Sequence, residues 1–482
     1  MKDSLKKKTF SGILWSGIER FSVQGIQFSI QLVMARILTP ADYGLIGMII
    51  VFIAISQSII NCGFSSALIR KVDRTEEDYS TAFYFNIGVG VILYTILFLS
   101  APLIARFYNE PILIPITRIM GLGLLLNSLS IVQVAQLTIN LNFKTQAKAS
   151  FIAAFFSGFI GLIIAIYGYG VWAIVFLNIS NTFINVIALW VFSKWVPKSR
   201  FSWNSFSGMF RYGSKLLVSG LLDTIYNNLI SLIIGKKYSP ATLGYYTRAN
   251  SFTDFPSSNL TQIIQNVTFP VLSKMQEDED ELKSAYIKFI KLSAFIIFPL
   301  MTGLVSISNP LINLLLTNKW QDTVILTQIL CFSYIWYPIH AINLNLLKVK
   351  GRSDLFLKLE IIRKALGIIT LFITVPLGVK AMCIGVTINS VIALIINTHY
   401  SGKFIQFGFF AQMKILFPIL ANALTMMLFV IFINSFINGF LLQLIVGISA
   451  GATYYLGISY IFNSKELSDI LSVINLNVFS KR

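Results

Sequence analysis

The chain has 482 residues, of which 55% are hydrophobic, 14% aromatic and only 12% charged, where a soluble domain carries roughly 25% charged residues. So little polar surface cannot enclose so much apolar side chain in water, which excludes a soluble enzyme. The formal charge of +18 comes from Lys and Arg dispersed between apolar stretches, with no continuous basic domain, so no nucleic-acid partner is expected.

Apolar runs near the roughly 20 residues that a helix needs to cross about 30 Å of hydrocarbon recur along the whole chain. Stretches such as Val89 to Ala101 are apolar all round and lack the period-two alternation of a membrane barrel, so the spans read as helices. In chain order they lie near 13–35, 44–64, 82–104, 116–138, 149–167 and 171–192. They continue near 214–234, 244–272, 289–307, 323–346, 355–375, 380–399, 415–436 and 441–462. The stretch 244–272 is the least hydrophobic. The first run follows Lys2, Lys6, Lys7 and Lys8, carries Glu19 and Arg20 and lacks a small-residue cleavage pattern; it reads as a retained span, not a signal peptide.

Fourteen spans put both termini on one side. On the terminal side of these spans lie 27 of the 38 Lys and Arg, against 8 on the other, which predicts cytoplasmic termini. The chain also repeats itself. Thr39-Pro40-Ala41-Asp42-Tyr43-Gly44 recurs as Ser239-Pro240-Ala241-Thr242-Leu243-Gly244. Pro102-Leu103-Ile104 recurs as Pro310-Leu311-Ile312, and Gly170-Val171-Trp172-Ala173 as Gly378-Val379-Lys380-Ala381. Matches in order at a nearly constant offset indicate two parallel six-helix lobes. The expected fold is an all-α polytopic membrane protein with an N-lobe at 1–192, a cytoplasmic linker at 193–213 and a C-lobe at 214–400. Residues 401–482 add spans thirteen and fourteen and a tail.

Polar residues concentrate on a few spans. Arg20, Gln24, Gln27 and Gln31 line one face of the first, and Gly220, Thr224, Asn227 and Ser231 hold the same places in the seventh, with Asp223 beside them. Gln57, Ser58, Asn61 and Ser65 in the second correspond to Ser257, Ser258, Thr261 and Gln265 in the eighth, which adds Asn250, Asp254 and Thr268. Spans three, five, six, thirteen and fourteen read as nearly all apolar. A polar seam in symmetric places suggests a hydrated central cavity; the bland alternative is that Ser, Thr and Asn glue helices together. Arg20 is the exception, because an ionised Arg deep in a span costs roughly 3 kcal/mol on insertion scales and needs water, a counter-ion or an anionic substrate. Glu19 diverges from it by about 100 degrees around the helix and cannot pair with it on that face. Glu360, Arg363 and Lys364 form a local charge cluster near the cytoplasmic end of the eleventh span, read as snorkelling or as a basic entrance. Arg248, near the outer end of the eighth, either lines an outer vestibule of that cavity or marks the membrane interface. Cys62, Cys331, Cys383, His340 and His399 are isolated, without metal-ligand spacing, so no metal or other cofactor is expected.

Gly12-Ile13-Leu14-Trp15-Ser16, Glu19-Arg20-Phe21, Ala35-Arg36-Ile37-Leu38-Thr39-Pro40 with Tyr43-Gly44, Leu243-Gly244-Tyr245-Tyr246 with Arg248-Ala249, and Phe269-Pro270-Val271-Leu272-Ser273 together resemble the Wzx-type polysaccharide-unit flippases. The likeness is to the colanic-acid and teichuronic-acid exporter-like branch of the multidrug/oligosaccharidyl-lipid/polysaccharide exporter superfamily, and runs to about residue 400. It implies two six-helix lobes around a cavity lined by spans one, two, seven and eight, in a bacterial cytoplasmic (inner) membrane. It also implies an undecaprenyl-diphosphate-linked oligosaccharide as substrate, moved to the outer leaflet by alternating access for O-antigen, capsule or exopolysaccharide synthesis. Membrane lipids and a polysaccharide polymerase are partners consistent with that work. A cation-coupled drug antiporter on the same fold is a rival, with Glu19, Asp223 and Asp254 as acids for a proton or sodium gradient. A membrane polymerase or ligase is disfavoured by outer loops that are short and poor in paired acids.

Overall fold

The structure, a computed structural model, describes residues 24–61 and 63–462, and every regular element among them is helical. The helices are α1 (24–37), α2 (Pro40–Ile60), α3 (Phe64–Arg70), α4 (Glu76–Tyr108), α5 (Leu113–Ser128), α6 (Ile131–Ile139), α7 (Phe143–Ile166), α8 (Val171–Ser193) and α9 (Trp203–Lys237). They continue with α10 (Pro240–Lys274), α11 (Glu279–Leu316), α12 (Gln321–Tyr334), α13 (Tyr337–Val349), α14 (Ser353–Thr374), α15 (Val379–Ile405), α16 (Phe409–Asn434) and α17 (Phe440–Ile461). Each predicted span coincides with one helix or with two in succession, the first in its described part from residue 24 on: α5 and α6 make the fourth, and α12 and α13 the tenth. Ten stretches among the described residues are long and apolar enough to cross a membrane, or eleven when α5 and α6, bent by 40°, count as one. The polar stripe of α10 and the charges Lys358, Glu360, Arg363 and Lys364 of α14 keep those two below that threshold. Ile92, Leu99 and Leu103 on α4 and Phe417, Phe432 and Ile445 on α16 and α17 are exposed, as lipid-facing side chains are.

The repeated motifs mark places where the backbone needs a particular residue. Asp42 N donates to Thr39 Oγ1 at 3.3 Å while Asp42 Oδ2 accepts from Thr39 N at 2.8 Å, a reciprocal cap on α2 with Pro40 in its first turn. Thr242 N donates to Ser239 Oγ at 3.3 Å at the matching start of α10. Pro102 and Pro310 each interrupt a long helix six residues before its end. Gly170 and Gly378 open α8 and α15 at φ of 55° and 103°, a region L side chains avoid. The last residue of the first motif has the strictest role. A Cβ added at Gly44 would overlap the carbonyl of Pro240, and one added at Gly244 the carbonyl of Pro40, so the two copies of the motif meet backbone to backbone.

Packing groups the chain into two compact units, 1–244 and 245–482. In the first, α9 lies against α2, α3 and α4. Its aromatic cluster sits where the segment between α8 and α9 is strapped to the start of α4: Phe64, Phe83, Trp195 and Met209 are buried, and Phe64 stacks on Phe85 with centroids 4.4 Å apart. Trp195 Nε1 donates to Glu76 Oε1 at 3.0 Å, Ser199 N to Ser80 Oγ at 3.2 Å and Ser202 N to Thr81 Oγ1 at 3.0 Å. In the second unit the core runs along α11, from Leu282 and Tyr286 to Phe298 and Met301, packed on Ile339, Ile342 and Leu346 of α13. α11 has 38 residues, about 57 Å at 1.5 Å per residue, well beyond the hydrocarbon. Its acidic first turn, capped by Asp278, is exposed, as expected for the run Glu277 to Glu281.

Span six departs from its expected apolarity. Asn178 and Asn181 of α8 bond Ile174 O at 2.8 Å and Ser157 Oγ at 3.1 Å, inside the close α7–α8 pair. Here asparagine is interhelical and local glue.

Candidate functional site: polar faces on the membrane helices

Arg20 and Glu19, the two charges predicted within the first span, lie outside the described residues. The rest of that stripe is in place: Gln24 is half-buried, and Gln27 and Gln31 are exposed on α1. On α2, Gln57 Nε2 donates to Asn61 Oδ1 at 3.3 Å, and Gln57 Oε1 accepts from Asn127 Nδ2 of α5 at 3.2 Å. The α2 stripe faces α9 at Gly220, where an added Cβ would stand 3.4 Å from Ser58 Oγ. Asp223 and Asn227 follow on α9, both exposed. The expected α2 and α9 stripes therefore meet at Gly220 in the first unit. Asn127 joins them although the sequence reading passed it over; its one signal was its place beside the Ser128-Leu129-Ser130 break between α5 and α6.

In the second unit the α10 stripe splits. Ser257 Oγ donates to Tyr334 O at 2.8 Å, Thr268 Oγ1 accepts from Asn345 Nδ2 at 3.3 Å, and Thr261 bonds back to Ser257 O; all three are buried and serve packing. Asn250, Asp254, Ser258 and Gln265 stay half-buried. Tyr334 Oη donates to Asn250 Oδ1 at 2.9 Å, and Ser258 Oγ approaches Asp254 Oδ2 at 3.5 Å. Tyr334, also missed in the sequence, thus joins the half-buried part of the α10 stripe through Asn250. On α14, Arg363 Nη1 donates to Glu360 Oε1 at 2.9 Å and Lys364 Nζ stands 4.0 Å from Glu360 Oε2, each side chain about a quarter exposed. Glu360 thus faces both cations of the cluster. Arg248 lies over the Trp320 ring, 6.0 Å from its centroid.

Other polar groups are fully absorbed by the fold. Asn397 Nδ2 can only donate, so His340 Nδ1 accepts from it at 3.2 Å; the ring proton then sits on Nε2, facing Ser390 Oγ at 3.3 Å, and the Ser390 hydroxyl donates to Ser333 O at 3.0 Å. That chain holds a neutral imidazole. Cys331 and Cys383 are buried, free and apolar in role, and Cys62 lies outside the described residues. Among the described residues no three His, Cys, Asp or Glu side chains converge to hold a metal. What the half-exposed amides, hydroxyls and charges can do is form and release hydrogen bonds with a polar solute inside the membrane.

WzxC of Escherichia coli K12, a lipopolysaccharide biosynthesis protein, is 25% identical over 403 residues, 83% of this chain and 81% of its own. TuaB of Bacillus subtilis 168, a teichuronic acid biosynthesis protein, is 26% identical over 359 residues, 73% of each chain. Among solved structures, the Lipid II flippase MurJ in an inward closed conformation matches with a TM-score of 0.78 at 16% identity, over 93% of this chain and 98% of that one. An inward-facing multidrug resistance transporter, of the MATE family and the MOP superfamily, matches with a TM-score of 0.63 at 16% identity, over 80% of this chain and 96% of that one. At such identities the structures share the fold. The profile of the polysaccharide biosynthesis protein family matches residues 33–325, and the chain belongs to that family.

Proposed function

We propose that the chain is a flippase that carries a polyprenyl-diphosphate-linked oligosaccharide from the cytoplasmic to the outer leaflet during assembly of a cell-surface polysaccharide. The observation that carries this is the match to WzxC across four-fifths of both chains, in a family defined by polysaccharide biosynthesis. A sugar diphosphate cannot cross hydrocarbon alone, because its charges and hydroxyls lose their hydration without replacement. Polar helix faces supply the replacement: Gln27, Gln31, Gln57, Asn61 and Asn227 suit sugar hydroxyls, and the forked donors of Arg20 suit a diphosphate. Arg363 and Lys364 serve as a basic entrance. Both termini are cytoplasmic in this reading, and residues 1–192 and 214–400 act as the two lobes. Asp254, half-buried within a helix that also carries Asn250 and Gln265, is the leading acid for coupling to a proton or sodium gradient. The chemistry is binding and release, with no covalent step.

A strain deleted for the gene is expected to accumulate the lipid-linked oligosaccharide in the cytoplasmic leaflet and to recover export on complementation. Normal arrival of the intermediate at the outer leaflet, with drug resistance falling instead, would favour the antiporter. Arg20→Ala is expected to abolish export while leaving the protein in the membrane.

A further inference from the structure

The transport reading leaves one pocket unused. It lies in the first unit between α3 and the start of α9, encloses about 320 Å3, and is lined chiefly by Arg70, Lys71, Asn204, Ser205, Gly208 and Tyr212. Its construction is local. α3 starts from left-handed Gly63, buries Phe64 and Leu68, and so carries Arg70 to its open end. The Arg70 guanidinium stacks over the Tyr212 ring, 4.6 Å from its centroid, and among the described residues no carboxylate pairs with it. Lys71 is neutralised: its ammonium donates to both oxygens of Asp78 at 2.7 and 2.6 Å, and that fully buried carboxylate also accepts from Thr75 N at 2.8 Å.

The lining thus carries two cations, and Asp78, fully buried outside the lining, neutralises Lys71, which leaves a surplus of one positive charge on Arg70. That surplus matches the single negative charge of a phosphodiester and falls short of a diphosphate. The volume stands at the low end of ligand pockets, about 300–1,000 Å3, enough for a headgroup and too little for an oligosaccharide. Beside it, Trp203 is 71% exposed, and Phe201 and Phe210 are exposed as well, the amphipathic rings that sit at a membrane–water boundary. Acyl chains would lie against them while the headgroup enters the pocket.

We propose that this pocket binds the headgroup of an anionic phospholipid, with Arg70 on the phosphate and Asn204 and Ser205 on the glycerol hydroxyls. The inference is independent of what the protein transports. It is tested by titrating the full-length protein, in a neutral detergent, with dioctanoyl phosphatidylglycerol and counting adducts by native mass spectrometry. Dioctanoyl phosphatidylcholine, inorganic phosphate and a polyprenyl diphosphate form the other arms.

The expected result is one saturable phosphatidylglycerol site that Arg70→Gln weakens by about tenfold, the effect of losing one charge-assisted hydrogen-bonded contact. Gly208→Leu is the second variant. A Cβ there meets open space, so the side chain fills the pocket without a clash and is expected to block the lipid while the melting temperature stays unchanged. Equal binding by the parent and both variants overturns the proposal. So does Arg70-dependent binding of the polyprenyl diphosphate tighter than that of phosphatidylglycerol, which would make the pocket a substrate station. Displacement of the lipid by equimolar inorganic phosphate also overturns it, in favour of a free-anion site. None of these results bears on the export phenotype of the deletion strain.

Discussion

In the second unit, Gln412 of α16 is fully buried and lies within hydrogen-bonding distance of Tyr286 Oη at 3.0 Å, Asn343 Oδ1 at 3.2 Å and Ser401 Oγ at 3.0 Å, joining four helices. In the first unit, Gln57 of α2 has two amide partners, Asn127 and Asn61, and keeps part of its side chain exposed. The residue type is the same and the roles differ. A buried amide whose partners are all protein groups is committed to the fold, since no water can replace a lost bond there. A half-exposed amide bonded to other amides can exchange those partners for a sugar hydroxyl at little cost. Polarity inside a membrane helix therefore marks function only where burial is incomplete.

The largest effect that tests this contrast is one the polar residues do not cause. In the first unit stability rests on backbone contact at the repeated motif, so Gly44→Val or Gly244→Val forces two helix starts apart. Overpacking against backbone is expected to cost about 3 kcal/mol or more. Protein should disappear from the membrane fraction; normal levels of either variant would show that the crossing can open without penalty. Next comes Gln412→Leu, which takes one hydrogen-bond partner each from Tyr286, Asn343 and Ser401 in a dry core. The expected loss is about 2–4 kcal/mol, read as a lower melting temperature in micelles, with export falling only in proportion to the protein that remains.

These sites also show where the sequence stops being informative. Most of the spans are legible because apolarity needs no knowledge of neighbours, and the caps at Thr39 and Ser239 are visible as repeated words. The breaks at Leu129–Ser130 and Ile335–Trp336 are not read as breaks, since each is too short to lower the average hydropathy of its run and the pattern reads as one span. That Gly44 is a repeated residue is plain, but that its missing side chain admits the Pro240 carbonyl depends on a contact nearly 200 residues away. The stripes on α2, α9 and α10 are legible by helical periodicity. Their partners Asn127 and Tyr334 are not, because each comes from a helix distant in sequence. Periodicity also could not tell which half of the α10 stripe packing would bury.

A smaller effect on stability, paired with a large one on transport, is expected for Gln57→Leu. Asn61 and Asn127 lose a partner yet retain access to solvent, so the cost should stay below about 1 kcal/mol. Export should drop severalfold at unchanged protein level. If melting temperature and export fell together, as for Gln412→Leu, the two glutamines would be equivalent and the contrast between the units would be lost.

The smallest expected change tests the charged end of the same argument. Lys364 stands 4.0 Å from a carboxylate that Arg363 already engages at 2.9 Å, with every side chain about a quarter exposed. A second, longer and partly solvated pair to an occupied acid is worth about 0.5 kcal/mol or less. Lys364→Gln should therefore leave the melting temperature nearly unchanged, whereas Arg363→Gln hands Glu360 to Lys364 and removes the better pair, so it should lower the melting temperature by more than loss of the Lys364–Glu360 pair alone. Should Lys364→Gln slow export while stability holds, Lys364 acts on the substrate as a basic entrance. Unchanged export would leave Lys364 a structural residue, and the entrance role would fall to Arg363 or fail.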